Sequence, residues 1–338
     1  MDSLTQIVLG GAVANAAIGK KAGNRAVLWG AIAGTIPDLD VFFKYTHSFV
    51  DSMAMHRGFT HSILFSVITA PILGWIIAKL YRYRRGNIHQ WTRAMFLALV
   101  THPLLDAFTT WGTSLWWPFS QQRVAISSIF VLDPLYTLPF IVCLVTSMFI
   151  KRKKKLRNYI NALGLFISSA YLLLTVANQM LVTRIFSDAA ELNGIEVNDL
   201  EVKPTPLNTI LWTCNVESDK SFYLSYYSWL DNHQSPSFKE VVKQHELLKP
   251  YLIYPDVQQL LRITANNYVV REWENGLLMH DLRFGELAGW ENVDSEFVFT
   301  YRLHIVDGKL VNIDQRPNEF EGMGKAFSSL LSRIKGNE

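Results

Sequence analysis

The stretch HRGFTHSILFSVITAPILGWIIAKL, residues 56–80, places two histidines and an arginine directly before a long apolar run. The run from Ile63 to Ala78 contains no charged residue, and with its flanks it approaches the roughly 20 residues that a membrane-spanning helix needs. His56, Arg57 and His61 stand where the chain is expected to enter lipid, without an acidic residue beside them. The stretch therefore predicts a membrane helix whose entrance carries side chains able to bind a metal ion or a phosphate group.

The composition extends this prediction to the first half of the chain. Of the 338 residues, 49% are hydrophobic and only 18% are charged, which is too apolar for an ordinary soluble protein of this length. Windows of about 20 residues identify six apolar segments, at 3–19, 26–43, 61–80, 94–110, 129–150 and 158–183. The first segment is rich in Gly and Ala and is interpreted as either a tightly packed span or a re-entrant piece. Residues 1–183 are thus predicted to form a mainly α-helical membrane bundle with about six apolar segments.

The rest of the chain has a different pattern, in which apolar residues alternate instead of forming long runs. Asn275-Gly276 and Asp307-Gly308 each separate two such stretches, which predicts two β-hairpins. Two further stretches have helical spacing. A small soluble α+β domain is therefore predicted for residues 184–338.

Basic residues are concentrated in alternate loops between the apolar segments. Fourteen Lys and Arg residues lie in the loops after the first, third and fifth segments, whereas the other loops contain only Lys44, Arg57 and Arg123. Because Lys and Arg are retained on the cytoplasmic side, this asymmetry predicts that the N-terminus and residues 184–338 lie outside the cytoplasm. The run KRKKKLR, residues 151–157, is interpreted as a topology anchor that contacts anionic membrane lipids, and no nucleic-acid partner is expected.

The opposite ends of the apolar segments carry carboxylates and imidazoles. The predicted metal ligands are Asp38, Asp40, His56, His61, His102, Asp106 and Asp133. Because His102 and Asp106 are four residues apart, they share one helix face and can bind the same ion. Mixed imidazole and carboxylate ligands favour Zn²⁺, with Mn²⁺ or Fe as alternatives, and one to three ions are expected. A divalent ion lowers the pKa of bound water towards about 7 and so supplies a nucleophile for hydrolysis.

Some of these residues have a simpler interpretation as well. Asp133 precedes Pro134, which is equally typical of a helix N-cap. Arg57 either binds a phosphate group or extends to lipid headgroups. The histidines of the second half lack a metal-ligand spacing and are expected to be ordinary surface or strand residues; they are His233, His245, His280 and His304.

Two classes of function remain open. The first is a metal-dependent hydrolase that attacks a phosphoester, with a lipid as one candidate substrate and His56, Arg57 and His61 as the predicted catalytic residues. The second is a non-enzymatic membrane protein, either a metal or proton transporter or a scaffold with a structural metal site. A transporter needs polar residues along its path, and the third, fifth and sixth segments contain almost no ionisable groups. The sequence therefore favours an enzyme that acts at the outer face of the membrane.

Four ordered blocks resemble the YdjM family of inner-membrane proteins, which are described as membrane-bound metal-dependent hydrolases: MDSLTQIVLGGAV, GNRAVLWGAIAGTIPDLDVF, HRGFTHS and HPLLDAFTTWGTSLWWPFS. The resemblance covers about residues 1–180 and implies a multi-pass protein of the bacterial inner (plasma) membrane. It also implies metal-linked roles for Asp38, Asp40, His56, His61, His102 and Asp106. Many members have His where this chain has Gln6, and glutamine is a poor zinc ligand, so the resemblance implies a changed ligand position here.

Overall fold

The computed structural model describes residues 1–232, 235–291, 295–317 and 323–336. They form two compact units, each with its own core. The first unit comprises residues 1–43, 55–177 and 206–208, and the second comprises 44–54, 178–205 and the described residues from 209 onward. The first unit is helical and the second is rich in strands.

The chain up to Leu192 is mainly helical. In order they are α1 (Ser3–Ala22), α2 (Asn24–Thr35), a 3₁₀ helix (Pro37–Tyr45), α3 (Phe49–Met55), a 3₁₀ turn (Phe59–His61), α4 (Ile63–Leu80), α5 (Ile88–Asp106), α6 (Pro134–Phe149) and α7 (Lys155–Leu192). Side chains next to the first residues of α1 and α5 cap the free backbone N–H groups there. The side chain of Asp2 accepts a hydrogen bond from Thr5 N at the start of α1, and Asn87 forms a capping box with Gln90 at the start of α5.

Helices α1 and α2 approach each other through glycines. A Cβ atom on Gly30 would lie 2.2 Å from the carbonyl oxygen of Gly10, and one on Gly34 would lie 2.6 Å from the carbonyl oxygen of Gln6. No larger residue fits there without moving a backbone, so the small residues set the distance between the helices. This contact brings Gln6 beside the C-terminal end of α2.

The largest helical core surrounds α5. Trp91, Met95 and Leu99 of this helix are fully buried and pack with Ile77 of α4 and Ala14 of α1. A second cluster, centred on α6, packs against another side of α1. Helix α1 is therefore covered on two sides, and its small residues allow the neighbouring helices to approach closely.

Fewer of these helices qualify as candidate membrane spans than the sequence suggested. Within the described residues, α4 and α7 are long and apolar enough to cross a membrane, and α2 with the following 3₁₀ helix, bent by 42°, would make a third candidate. The prediction of about six spanning segments is thus not confirmed, although each predicted segment overlaps a helix. Helix α6 has only 16 residues, or about 24 Å, against a hydrocarbon core of about 30 Å. Helices α1 and α5 bury polar side chains, which lowers their apolar character.

The second unit contains two four-stranded antiparallel sheets within the described residues. The first sheet has the order β1 (Asp199–Pro204), β2 (Leu211–Glu217), β3 (Ser221–Ser228) and β4 (Lys239–Val242). The second has the order β5 (Tyr268–Trp273), β6 (Gly276–Glu286), β7 (Phe297–Val306) and β8 (Lys309–Gln315). The other elements are a 3₁₀ helix (His245–Tyr251), α8 (Pro255–Ile263), a 3₁₀ turn (Gly289–Glu291) and α9 (Met323–Ile334).

Both predicted hairpins are present. Val306 pairs with Lys309, and Asp307 and Gly308 form the turn with positive φ angles of 50° and 71°, as a type I′ turn requires. In the other hairpin Gly276 already pairs with its partner strand, so the turn lies one residue earlier than predicted. Helix α7 extends nine residues beyond the predicted end of the sixth segment, because its last turns pack against the first sheet.

Candidate metal centre

Four side chains in the first unit are arranged so that they could hold a metal ion. They are Asp38, His61, His102 and Asp106, and one ligand atom from each lies within 4.8 Å of the others. Asp38 lies in the 3₁₀ helix that follows α2, and His61 ends the 3₁₀ turn before α4. His102 and Asp106 lie in the last turn of α5. Three separate helix ends therefore meet at this point, as the sequence predicted.

The distances between the ligand atoms are close to those of a tetrahedral zinc site. His102 Nε2 lies 3.1 Å from His61 Nε2 and 3.3 Å from Asp38 Oδ1. Asp106 Oδ2 lies 3.5 Å from each of the two Nε2 atoms, and His61 Nε2 lies 3.5 Å from Asp38 Oδ1. Bonds of about 2.0–2.1 Å in a regular tetrahedron give ligand–ligand separations of about 3.3–3.4 Å. The spacing of these atoms thus fits a small divalent ion at their centre.

Hydrogen bonds on the far side of each imidazole orient both rings towards the centre. His102 Nδ1 lies 2.6 Å from the carbonyl oxygen of Gly34, so we infer that Nδ1 carries the proton and Nε2 presents a lone pair. His61 Nδ1 lies 3.1 Å from Thr60 Oγ1 and 3.3 Å from Asp40 Oδ2. A carboxylate behind a metal-binding histidine is a common arrangement, because it fixes the tautomer and makes the other nitrogen more basic.

Only one oxygen of the Asp106 carboxylate accepts hydrogen bonds from the described residues. Its Oδ1 accepts a hydrogen bond from Gln6 Nε2 at 3.0 Å and contacts the amino group of Met1. Its Oδ2, which faces His61 and His102, is buried without a hydrogen-bond donor among the described residues. Arg57 offsets part of the charge of this oxygen, but a buried carboxylate oxygen without a hydrogen bond is unfavourable, and a divalent cation at this position would coordinate it. The residues present therefore fit a metal ion.

Asp40 and His56 were predicted as ligands, and the structure places them outside the group of four. Asp40 Oδ1 accepts from His56 Nδ1 at 2.9 Å, while Asp40 Oδ2 accepts from Arg57 N at 2.8 Å and from Thr60 Oγ1 at 3.1 Å. With both oxygens occupied, Asp40 supports His61 from behind. Thr60 was not predicted to take part in the metal centre, although its position between the two histidines of HRGFTHS was a usable signal.

Asp133, also predicted as a ligand, is instead a helix cap. Its Oδ1 accepts from the backbone N–H groups of Leu135 and Tyr136 at 2.9 and 3.2 Å, and its Oδ2 accepts from the hydroxyl of Tyr171 at 2.9 Å. These three bonds occupy both oxygens of the carboxylate. Of the two interpretations of the Asp133-Pro134 pair, the structure supports the N-cap.

Arg57 is buried and does not extend to lipid headgroups. Only 6% of the residue is exposed, and Nη1 donates to Thr109 Oγ1 at 2.8 Å. Its Nε lies 3.3 Å from Asp106 Oδ2, a distance that fits an ion pair without the geometry of a hydrogen bond. The arginine thus offsets part of the negative charge of the cluster. Neither Thr109 nor this contact was predicted from the sequence.

The histidines of the second unit have separate partners. His245 Nε2 lies 2.8 Å from the carbonyl oxygen of Tyr268, and His304 Nε2 lies 3.0 Å from Asp314 Oδ2. His233 lies outside the described residues. None of the described histidines of this unit belongs to the metal-binding group.

His280 is the most perturbed of these groups. Its Nδ1 lies 2.9 Å from Thr300 Oγ1 on the neighbouring strand. Burial, together with the positive charges of Arg271 and Arg316, lowers the pKa of His280 to about 4. The imidazole is therefore neutral at physiological pH and acts as a structural group between two strands.

Comparison with known proteins places the chain in a family. The model of the YdjM inner membrane protein family matches residues 1–182. Inner membrane protein YbcI of Escherichia coli (strain K12) is 36% identical over 102 residues, which are 29% of this chain and 57% of YbcI. Uncharacterized protein YfhP of Bacillus subtilis (strain 168) is 33% identical over 141 residues, which are 40% of this chain and 42% of YfhP.

The chain spans about half the length of these two relatives, at 57% and 42%. No solved structure matches it. The family match covers more than half of the chain and contains all four residues of the metal-binding group. The chain therefore belongs to the YdjM family of inner membrane proteins.

Proposed function

We propose that this protein is a membrane-embedded metal-dependent hydrolase that acts on a phosphoester, with a lipid phosphoester as one candidate, at the outer face of the inner membrane. The observation that carries the proposal is the group of four ligand atoms, which all lie within 4.8 Å of one another and for which five of the six separations are 3.1–3.5 Å. Two imidazoles and two carboxylates favour Zn²⁺, and Mn²⁺ or Fe would fit the same atoms.

Asp38, His61, His102 and Asp106 would hold the ion, and Asp38 marks the side from which solvent and substrate arrive. The Asp38 side chain is 21% exposed, whereas those of the two histidines and of Asp106 are fully buried. A divalent ion bound there supplies Lewis acidity that activates water for attack on a phosphoester. Asp38 is therefore the ligand that solvent and substrate can reach, while the other three ligands stay buried.

His56 and Asp40 form a pair suited to proton transfer beside this edge. The His56 side chain is 36% exposed, and its ring centroid lies 6.3 Å from that of His61. Because Nδ1 of His56 donates to Asp40 Oδ1, its Nε2 is available to accept a proton. We assign His56 Nε2 as the proton acceptor, oriented by Asp40 in the way that a carboxylate orients a catalytic histidine.

Arg57 acts through Asp106 in this proposal. Its buried guanidinium lies between Thr109 and the carboxylate, so it positions Asp106 and reduces repulsion between the acidic groups. The sequence suggested that Arg57 is itself catalytic; the buried geometry favours a positioning residue.

The proposed topology is a multi-pass protein with its N-terminus and its strand-rich unit outside the cytoplasm. It is supported by the fourteen basic residues in alternate loops and by the position of the metal-binding group at the opposite helix ends. A reporter enzyme fused after Gly194 is expected to be active only in the periplasm. Activity on the cytoplasmic side would contradict this orientation.

A second candidate function is a membrane protein that binds a metal without catalysis, as a scaffold or a transporter. One observation favours it: four protein donors complete a tetrahedral shell, as they do in structural zinc sites, whereas catalytic sites keep one position for water or substrate. The exposure of Asp38 argues in the opposite direction, since that ligand is the one that solvent can replace.

One experiment separates the two candidates. Metal content of the purified protein would be measured together with turnover of a panel of phospholipids and generic phosphodiesters. The hydrolase proposal expects about one bound metal and turnover, both lost in His102→Ala/Asp106→Ala, with His56→Gln retaining the metal but losing turnover. Metal binding without turnover of any substrate favours the scaffold or transporter. Absence of stoichiometric metal contradicts both.

A further inference from the structure

A cleft of about 480 Å³ lies at the other end of the helical unit from the metal-binding group. It is formed by the end of α1, the α4–α5 connection with the first turn of α5, and the α6–α7 connection. Five basic side chains line it, and no carboxylate in the described part of the chain does so; the five are Lys20, Lys21, Arg84, Arg152 and Lys153. Its volume lies in the range of about 300–1,000 Å³ that is typical of small-molecule sites.

Direct contacts hold the three parts of this basic cleft together. Lys21 Nζ donates to Gln90 Oε1 at 3.1 Å, and a guanidinium nitrogen of Arg152 donates to the carbonyl oxygen of Lys21. Gly86 has a φ of +139°, and a Cβ atom there would lie 2.6 Å from Ile18 Cδ1. Glycine therefore lets the α4–α5 connection lie against α1, which brings Arg84 to the same cleft as the lysines.

Among the described residues, no carboxylate compensates the positive charge of the basic cleft. None of the five basic side chains forms an ion pair with a carboxylate in the part of the chain that the structure describes. The N-terminal end of α5, which carries a partial positive charge, faces the same space through Asn87 and Gln90. Five cations and a helix N-terminus around one cavity repel each other, and a bound anion would relieve this repulsion.

We propose that the basic cleft binds a phosphate-bearing anion, supplied either by the headgroup of an anionic phospholipid or by a free phosphate compound. Lys and Arg side chains bind phosphate oxygens through several charge-assisted hydrogen bonds, and basic pockets between membrane helices accept lipid headgroups. This binding site is independent of the proposed hydrolase site. Gln90 and Asp106 are 16 residues apart on α5, which corresponds to about 24 Å.

The retention of basic residues on the cytoplasmic side explains why these loops are basic, but it does not explain which side chains converge on the cavity. Arg85 and Lys154 adjoin two of the lining residues in sequence, carry the same charge and do not line the cleft. Replacing Arg84 and Lys153 removes charge from the basic cleft, whereas replacing Arg85 and Lys154 removes the same charge from the loops alone.

The test uses the full chain, purified in an uncharged detergent, and isothermal titration calorimetry. The probes are sodium phosphate, short-chain phosphatidylglycerol and, as a zwitterionic control, short-chain phosphatidylcholine. We expect saturable binding of at least one of the first two probes, weakened by added salt. Arg84→Gln/Lys153→Gln should weaken that binding at least tenfold, whereas Arg85→Gln/Lys154→Gln should change it less than twofold.

The results with sodium phosphate and with phosphatidylglycerol identify the source of the anion. Binding of phosphatidylglycerol alone indicates a lipid headgroup, and binding of phosphate, with or without the lipid, indicates that phosphate chemistry suffices. Failure of both probes to bind, or an equal loss in the two double variants, would overturn the proposal. If Arg84→Gln/Lys153→Gln does not fold, the single variant Lys153→Gln in the exposed α6–α7 connection should still weaken binding about threefold or more. An unchanged affinity in that single variant would also overturn the proposal.

Discussion

Replacement of Asp40 by asparagine tests whether the metal-binding histidines depend on groups behind them. One oxygen of Asp40 accepts from Arg57 N and Thr60 Oγ1 and lies 3.3 Å from His61 Nδ1, while the other accepts from His56 Nδ1. In Asp40→Asn one of these oxygens becomes an NH₂ group, which cannot accept a hydrogen bond. The variant also loses the negative charge that favours a proton on His61 Nδ1.

The expected size of the effect follows from this position behind the ligands. Loss of such a supporting group typically weakens metal binding by about 10–100-fold, or about 1.4–2.8 kcal/mol. Zinc affinity would be measured by competition with a chromogenic chelator at constant pH. Asp51→Asn provides the control, because Asp51 is exposed, accepts from Ser48 and carries the same charge; its zinc affinity should change less than twofold.

Two outcomes would refute the reasoning about Asp40. An affinity equal to that of the unmodified protein would mean that the orientation of His61 does not depend on Asp40. A loss far greater than 100-fold would instead indicate that Asp40 is itself a ligand, as the sequence suggested, and that the group of four is incomplete.

Three further predictions concern residues outside the group of four. Asp133→Ala should leave the metal stoichiometry unchanged and reduce stability by about 2 kcal/mol, because the N-cap and the hydrogen bond from the Tyr171 hydroxyl are both lost. Metal analysis and thermal unfolding would measure the two effects, and loss of metal would instead support Asp133 as a ligand. Gly30→Val should destabilise the protein by about 1–3 kcal/mol, since its Cβ would overlap the backbone of α1, whereas Val at the exposed Ala16 should have little effect on the unfolding temperature. His280 has a pKa of about 4 in the folded state and 6.5 in the unfolded state, so the unfolded state takes up the proton first as the pH falls. Stability should therefore decline by about 3 kcal/mol between about pH 6.5 and 4, and His280→Gln should remove this decline; equal pH profiles in denaturant titrations would contradict the burial of His280.

The sequence predicted the metal-binding group through the positions of its residues at helix ends. His102 and Asp106 share a helix face by their spacing, and the structure places both in the group. The sequence did not distinguish Asp38 from Asp40, because their relative directions depend on a 3₁₀ helix that no pattern indicated. It also could not decide between two roles for Asp133, because an N-cap and a ligand use the same carboxylate.

The parts of the fold that depend on residues close together in the sequence were predictable. The Asp307-Gly308 turn needs only its two residues, and the helices follow from their apolar runs. The number of spanning helices was not confirmed, since an apolar window does not reveal where a helix ends, as the 16 residues of α6 show. The order of strands in the two sheets depends on contacts between distant residues and was not predicted.

X-ray absorption spectroscopy of the purified, zinc-loaded protein would test the central claim directly. The geometry around Asp38, His61, His102 and Asp106 predicts a four-coordinate zinc with nitrogen and oxygen ligands at about 2.0–2.1 Å and the outer-shell scattering of two imidazoles. A spectrum without imidazole scattering, or a six-coordinate shell of oxygen atoms, would contradict the claim that these helix ends form the metal site.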